Sequence, residues 1–215
     1  MRIGILGTGV VGKTLGTKLA KLGHDVRMGS RAAGSENAKG WVKETGSKSS
    51  EGTFADAAAH GEMVFNCTAG VASLAALKAA GAQNLQGKVL VDVSNPLDFS
   101  KGMPPTFSVC NNDSLGEQIQ RAYPAAKVVK ALNTVTAAVM VDPSIIPGVH
   151  TIFVSGNDTK SKAEVIDLLK AGFGWKDVMD LGDIQCARAQ EMHLALWLRL
   201  FTKLKTPNVN IRVAF

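Results

Sequence analysis

"GILGTGVVGKTLGTKLAKLGHDVRMGSR", residues 4–31, is the stretch that decides the fold. A short apolar run ends in Gly7, Gly9 and Gly12, spaced GxGxxG, after which Val11, Leu15, Leu19 and Leu22 recur at helical spacing. Gly23 stops that helix and "HDVRM" supplies a second strand. Strand, glycine turn, helix and strand within about thirty residues make a βαβ unit.

In that context each glycine has a task. Gly7 permits the tight turn, Gly9 lets the backbone approach a pyrophosphate, and Gly12 lets the helix pack close to the strand. The backbone amides of Gly7, Thr8, Gly9, Val10, Val11 and Gly12, at the positive end of the helix, then face a negative diphosphate.

The end of the second strand specifies which dinucleotide. An Asp or Glu there would hydrogen-bond a ribose 2′-hydroxyl, yet Ser30 occupies the position, 23 residues after Gly7, followed by Arg31. A hydroxyl and a permanently charged, planar guanidinium suit a 2′-phosphate, which a carboxylate would repel. NADP(H) is therefore expected rather than NAD. Ser35, at the far end of this loop, is placed to cap the next helix.

Outward from this unit the alternation continues. Helices are expected over 36–44, 71–80, 115–122, 160–171 and 187–205, with a helical turn over 54–59, and strands over 62–67, 88–94, 126–132 and 150–156. The strand "KVLVDVS" is nearly continuous in apolar character, as a strand covered on both faces should be. The pattern predicts an α/β protein, a Rossmann-type doubly wound and mostly parallel sheet with a small C-terminal helical extension. Residues 1–183 form the expected nucleotide-binding domain, and 184–215 a helix-and-strand extension of the same compact unit.

Ligands of such sheets lie beyond the C-terminal strand ends. Three loops meet that condition: Thr68 and Ala69, then Ser94, Asn95 and Pro96, then Leu132, Asn133 and Thr134. Each has a plainer alternative, since "SNP" is a good turn, Asn133 could satisfy loop backbone groups, and Lys130 could be a strand lysine pointing to solvent. None of the four histidines has a partner that nominates it as a general base.

The 215 residues carry a net charge of +6, but the basic residues are dispersed and no nucleic-acid surface is indicated. No apolar run approaches a membrane span, and a soluble cytoplasmic protein is expected. Three distant cysteines without a CxxC pair predict reduced, mostly buried thiols and no metal site. Leu194, Trp197, Leu198, Phe201 and Leu204 make an apolar stripe on the last helix, widened by Leu196 and Leu200, which suits either the chain's own sheet or a dimer contact.

Taken together, "GTGVVGKTLGTKLAKLGHDVRMGSR", "VSNPL" and "VKALNTV" resemble the deazaflavin (coenzyme F420)-dependent NADP oxidoreductase family, which is itself similar to the NADPH-binding domains of membrane metalloreductases. The resemblance spans most of the chain. It implies a dimeric Rossmann protein in which NADPH passes hydride to a deazaflavin or to a flavin such as FMN or FAD. It further implies that "ALNTVTAA" lines the junction of the two rings, with Asn95 and Asn133 near the nicotinamide and an amide near Ala137 holding the carboxamide. Archaeal members tend to carry histidine where this chain has Asn133, whereas metalloreductase-like relatives are closer to "KALNT" and use flavin.

Such chemistry needs alignment and exclusion of water more than an acid-base pair. The sequence alone therefore leaves open an NADPH-binding sensor or partner protein without turnover. A small dehydrogenase for an organic substrate would instead call for a Lys or His proton donor and a larger helical domain.

Overall fold

The computed structural model describes residues 1–214; Phe215, the last residue of the expected extension, lies outside them. The chain runs β1 (Arg2–Leu6), α1 (Val10–Lys21), β2 (Asp25–Ser30), α2 (Glu36–Thr45), β3 (Ser49–Thr53), α3 (Phe54–His60), β4 (Met63–Asn66), α4 (Gly70–Ala80), α5 (Ala82–Leu85) and β5 (Val89–Asp92). A small hairpin follows, β6 (Leu97–Asp98) and β7 (Thr106–Phe107), then α6 (Leu115–Ala122), β8 (Lys127–Ala131), α7 (Ala137–Val141), β9 (Thr151–Gly156), α8 (Thr159–Asp167), β10 (Asp177–Asp180) and α9 (Ala187–Leu204).

The main sheet has the order β10-β9-β8-β5-β4-β1-β2-β3. From β3 to β8 every neighbouring pair is parallel, the order of a doubly wound nucleotide-binding sheet. β9 then joins antiparallel to β8, and β10 runs parallel to β9.

Alternation of side chains across the pleat builds two cores. Ile3, Ile5, Phe65, Val91 and Val129 face a layer containing Leu15 and Leu19 of α1, Trp41 of α2 and Val139 of α7. Leu6, Val64, Leu90 and Val128 face the other, with Phe54, Leu77, Ile119 and Ala187. Burial on both faces is why these strands read as apolar runs. All parallel strands end at one edge, and the loops leaving that edge carry the candidate residues.

Several elements differ from the sequence expectation. β3, "SSEGT", is a polar edge strand with no apolar alternation to reveal it, and β10 is a second short edge strand. The expected helix over 160–171 gives way after Asp167 to a wider π-helical turn, Leu168–Phe173, which ends on Gly174 at φ 88°. No strand forms within 206–214. That segment lies alongside the start of β9 instead, with Thr151 N donating to Ile211 O at 2.9 Å. Cys110 is exposed rather than buried, while Cys67 and Cys186 are half-buried.

Candidate functional site

The glycine turn has the geometry its spacing implies. Gly7 sits at φ 120°, where L side chains are strained, and its N–H donates to Gly29 O at 3.0 Å, tying the turn to β2. A Cβ on Gly12 would overlap the Gly7 carbonyl, so the helix can approach the turn only without one. Over Gly9 the space is open, with no atom within 4 Å of where a Cβ would be. Gly9 caps α1 with no side-chain hydrogen bond, and the first turn holds no acidic residue. The leading amides of α1 lack intrahelical acceptors and carry the positive helix end toward that open space.

On one side of this turn lies a groove of about 650 Å³ lined by Gly7, Thr8, Ser30, Arg31 and Ser35. Arg31 is exposed and, among the described residues, has neither an ion pair nor a hydrogen bond. Ser30 is buried and its hydroxyl donates to Ala32 O at 2.5 Å, so the donor expected for a phosphate is already engaged. Glu51 closes the loop by accepting from Gly34 N at 2.9 Å, and Ser35 caps α2 by accepting from Ala38 N at 3.3 Å.

On the other side opens a larger cavity of about 810 Å³. Val10 and Val11 of α1, Thr68 and Ala69 after β4, Asn95 after β5, and Asn133 and Ala137 after β8 all line it. Eleven of the fourteen expected residues therefore border one space or the other, with Gly9 and Gly12 forming the turn between. Pro96 lies behind the wall: it is buried, and its carbonyl accepts from Ser108 N at 2.8 Å, anchoring the β6–β7 hairpin.

Asn95 and Asn133 use their amides on each other. Asn133 Nδ2 donates to Asn95 Oδ1 at 3.0 Å and to Gln190 O at 3.1 Å, while Asn95 Nδ2 donates to Asn133 O at 2.8 Å. The pair locks two strand-end loops to α9. Leu132, just before it, is forced to φ 65°, a strained conformation for a leucine. Beyond it Thr136 Oγ1 is buried at the cavity with no partner among the described residues.

Behind these loops lies a charged cluster absent from the sequence reading. Lys130 does not point to solvent: it is fully buried, with Nζ 2.7 Å from Asp92 Oδ2, 2.7 Å from Glu191 Oε1 and 2.6 Å from Ser94 O. Burial alone would lower the Lys130 pKa, but the two carboxylates outweigh it and hold the ammonium above its ordinary value. Glu191 also accepts from Leu115 N and Gly116 N, at 2.9 and 3.0 Å, at the start of α6. Asp92 accepts from Asn66 Nδ2 at 2.9 Å and from Ser94 Oγ at 2.6 Å. Burial, with Asp92 nearby, pushes the Cys67 thiol well up, so the cavity holds a protonated thiol and not a thiolate.

Among the described residues Asp98 is the one ionisable acid or base, thiol aside, in the cavity wall, and no proton-transfer dyad forms there. Among the described residues no group of three or more His, Cys, Asp or Glu could hold a metal ion, and no helix is long and apolar enough to cross a membrane. The arrangement places a largely apolar space beside the positive end of α1.

The chain is similar to known proteins. The family model described as NADP oxidoreductase, coenzyme F420-dependent, matches residues 2–96. A crystal structure from Arthrobacter sp. FB24, provisionally assigned as an F420-dependent NADP reductase, is 52% identical with TM-score 0.95 and covers 100% of both chains. The metalloreductase STEAP3 of Rattus norvegicus is 30% identical over 212 residues, 97% of this chain but 38% of that protein, so the chain spans well under half of that relative. A reductive aminase from Aspergillus terreus, solved with NADPH, is 20% identical with TM-score 0.68 over 95% of this chain and 63% of its own, a likeness of fold alone. The glycine turn, the Ser30–Arg31 strand end and the match along the whole chain lead to one assignment: this protein belongs to the coenzyme F420-dependent NADP oxidoreductase family.

Proposed function

We propose that the protein oxidises NADPH and passes hydride to a deazaflavin or flavin acceptor, namely coenzyme F420, FMN or FAD. The observation that carries this reading is the position of the amide end of α1. Thr8 lines the groove holding the unpaired Arg31, and Val10, two residues on, lines the apolar cavity. A dinucleotide laid across Gly9 would reach both.

When bound, NADPH supplies the hydride; the chain supplies placement. Gly7 to Gly12 would hold the diphosphate through backbone amides, and Arg31 the 2′-phosphate, with Ser30 joining if its hydroxyl leaves Ala32 O. The N–H of Ala137, the first residue of α7, has no intrahelical acceptor and suits a carboxamide oxygen. Asn95 and Asn133 act here by fixing the loops, while Thr68, Ala69 and Pro96 shape the wall and its backing. Exclusion of water and a fixed ring face account for the rate without an acid-base group.

Residues 1–183 serve in this proposal as the nucleotide-binding unit and 184–215 as the extension whose helix flanks the cavity. A cytoplasmic homodimer completes it: Leu196 and Leu204 of α9 remain 51% and 55% exposed, apolar surface that a second copy would cover. Steady-state NADPH oxidation with F420, FMN and FAD tests the reading. Turnover with at least one acceptor is expected; tight NADPH binding without turnover for any of them would mark a sensor instead.

A further inference from the structure

Among the described residues two aromatic side chains, Phe99 and Trp197, border the 810 Å³ cavity. They are held differently. Phe99 sits in the loop of the β6–β7 hairpin and is 57% exposed. Trp197, on α9, is half-buried, and its indole N–H donates to Val209 O at 3.1 Å. Phe201, one turn further along α9, stacks against the indole with ring centroids 5.6 Å apart and planes 15° from parallel.

The carbonyl that fixes the indole belongs to a segment that is itself tied down. After α9 the chain turns back, and residues 209–213 lie along the start of β9. Ile211 O accepts from Thr151 N at 2.9 Å, and Val213 N donates to Thr151 Oγ1 at 3.0 Å. Between them Asn210 Nδ2 donates to Thr151 O and to His150 Nδ1, each at 2.9 Å. The one polar atom of Trp197 is thus spent on this brace, so toward the cavity the side chain offers ring surface and no hydrogen bond. A ring immobilised beforehand loses little further freedom when a ligand settles against it. The cavity also has room for a second ring. Val10 and Ala137, given above to NADPH, come from α1 and α7, whereas Leu194, Trp197 and Leu198 come from α9, and 810 Å³ is the size of a site for a drug-sized molecule.

We propose that Trp197 is a specificity-determining residue for the hydride acceptor, an aromatic surface against which the acceptor's flat heterocyclic ring packs, and that residues 209–213 are the brace that presets it. The inference rests on reading the cavity as the acceptor site. Phe99, on a hairpin loop and more than half exposed, lacks such a brace, so the fixed aromatic contact falls to α9.

The test is steady-state NADPH oxidation with riboflavin, FMN and F420 by the full chain and by Trp197→Leu, Trp197→Phe and Asn210→Ala, beside NADPH titration and thermal melting of each. Trp197→Leu should raise KM for riboflavin and FMN about five- to twentyfold, by the same factor because they share a ring, with NADPH affinity within about twofold of the parent. Trp197→Phe keeps a ring but cannot donate to Val209 O, and its KM values should stay within about threefold. Asn210→Ala loosens the brace without touching the indole and should raise both by about two- to threefold. Trp197→Met, flexible and of similar reach, takes the place of the leucine variant should that one not fold. Unchanged KM in the non-aromatic variant, an equal rise in the phenylalanine variant, or a matching loss of NADPH affinity overturns the inference while leaving hydride transfer intact. If the parent binds NADPH yet reduces neither flavin nor F420, both the inference and the reading beneath it fall.

Discussion

Lys130 on β8 and Glu191 on α9 meet at 2.7 Å with both side chains sealed from solvent, and this contact joins the last parallel strand to the C-terminal helix. Asp92, 2.7 Å from the same ammonium, extends the contact to β5 and to the loop that carries Asn95. The sheet edge and α9 are thus held in one charged, desolvated unit.

Removing the cation from this unit strands two buried carboxylates. Lys130→Met should lower unfolding stability in urea by about 3–5 kcal/mol. Glu191→Gln, which leaves the Asp92 pair, should cost about 1–3 kcal/mol. Because the Lys130 pKa is raised in the fold, its contribution is complete below the unfolded lysine value of about 10.4 and drains as pH climbs beyond it. The methionine variant should lose that alkaline dependence, and a cost below about 1 kcal/mol would show that the unit carries little weight.

Two glycines of the turn should separate stability from binding. Gly12→Ala forces a Cβ onto the Gly7 carbonyl and should destabilise by about 1–3 kcal/mol. Gly9→Ala meets no atom within 4 Å, so stability should hold within about 1 kcal/mol while NADPH affinity falls. Calorimetric melting together with NADPH titration distinguishes the two, and unimpaired NADPH binding by the Gly9 variant would remove the diphosphate from this turn.

The thiols should differ in reactivity. Burial, then the charge of Asp92, pushes Cys67 up, and burial, then Asp183, does the same for Cys186. Exposed Cys110 should react with iodoacetamide first at neutral pH, by roughly an order of magnitude, as followed by peptide mass spectrometry. Prior labelling of Cys67 would contradict the raised pKa of its thiol.

At acid pH the pair to watch is Asp113 with Arg121. Two guanidinium hydrogen bonds, at 3.0 and 2.7 Å, are the chief reason the Asp113 carboxyl is held down at about 2. Its contribution is full above the ordinary carboxylate value near 4 and is lost as pH falls toward 2. Asp113→Asn should flatten that part of the acid-unfolding curve while changing neutral stability by less than about 1 kcal/mol.

What the sequence disclosed was what local chemistry dictates. GxGxxG, the Ser35 cap and the helical spacing of Leu15 and Leu19 are written within a few residues of one another, and the structure shows each in place. β3 escaped because an edge strand of Ser, Glu, Gly and Thr has no buried face to mark it. Lys130 was ambiguous because its partners come from β5 and α9, far along the chain, and no spacing signals a tertiary ion pair. Chain order groups Asn95 and Asn133 at one edge, but only the folded structure reveals that each satisfies the other.

In the proposed function Arg31, free and exposed beside the glycine turn, recognises the 2′-phosphate of NADPH. Equilibrium titration of NADPH and NADH into the protein and its Arg31→Ala variant tests it most directly. NADPH is expected to bind about ten- to a hundredfold tighter than NADH, with the preference largely erased in the variant. Equal affinity for the two nucleotides, or NADPH affinity unchanged by Arg31→Ala, would contradict it.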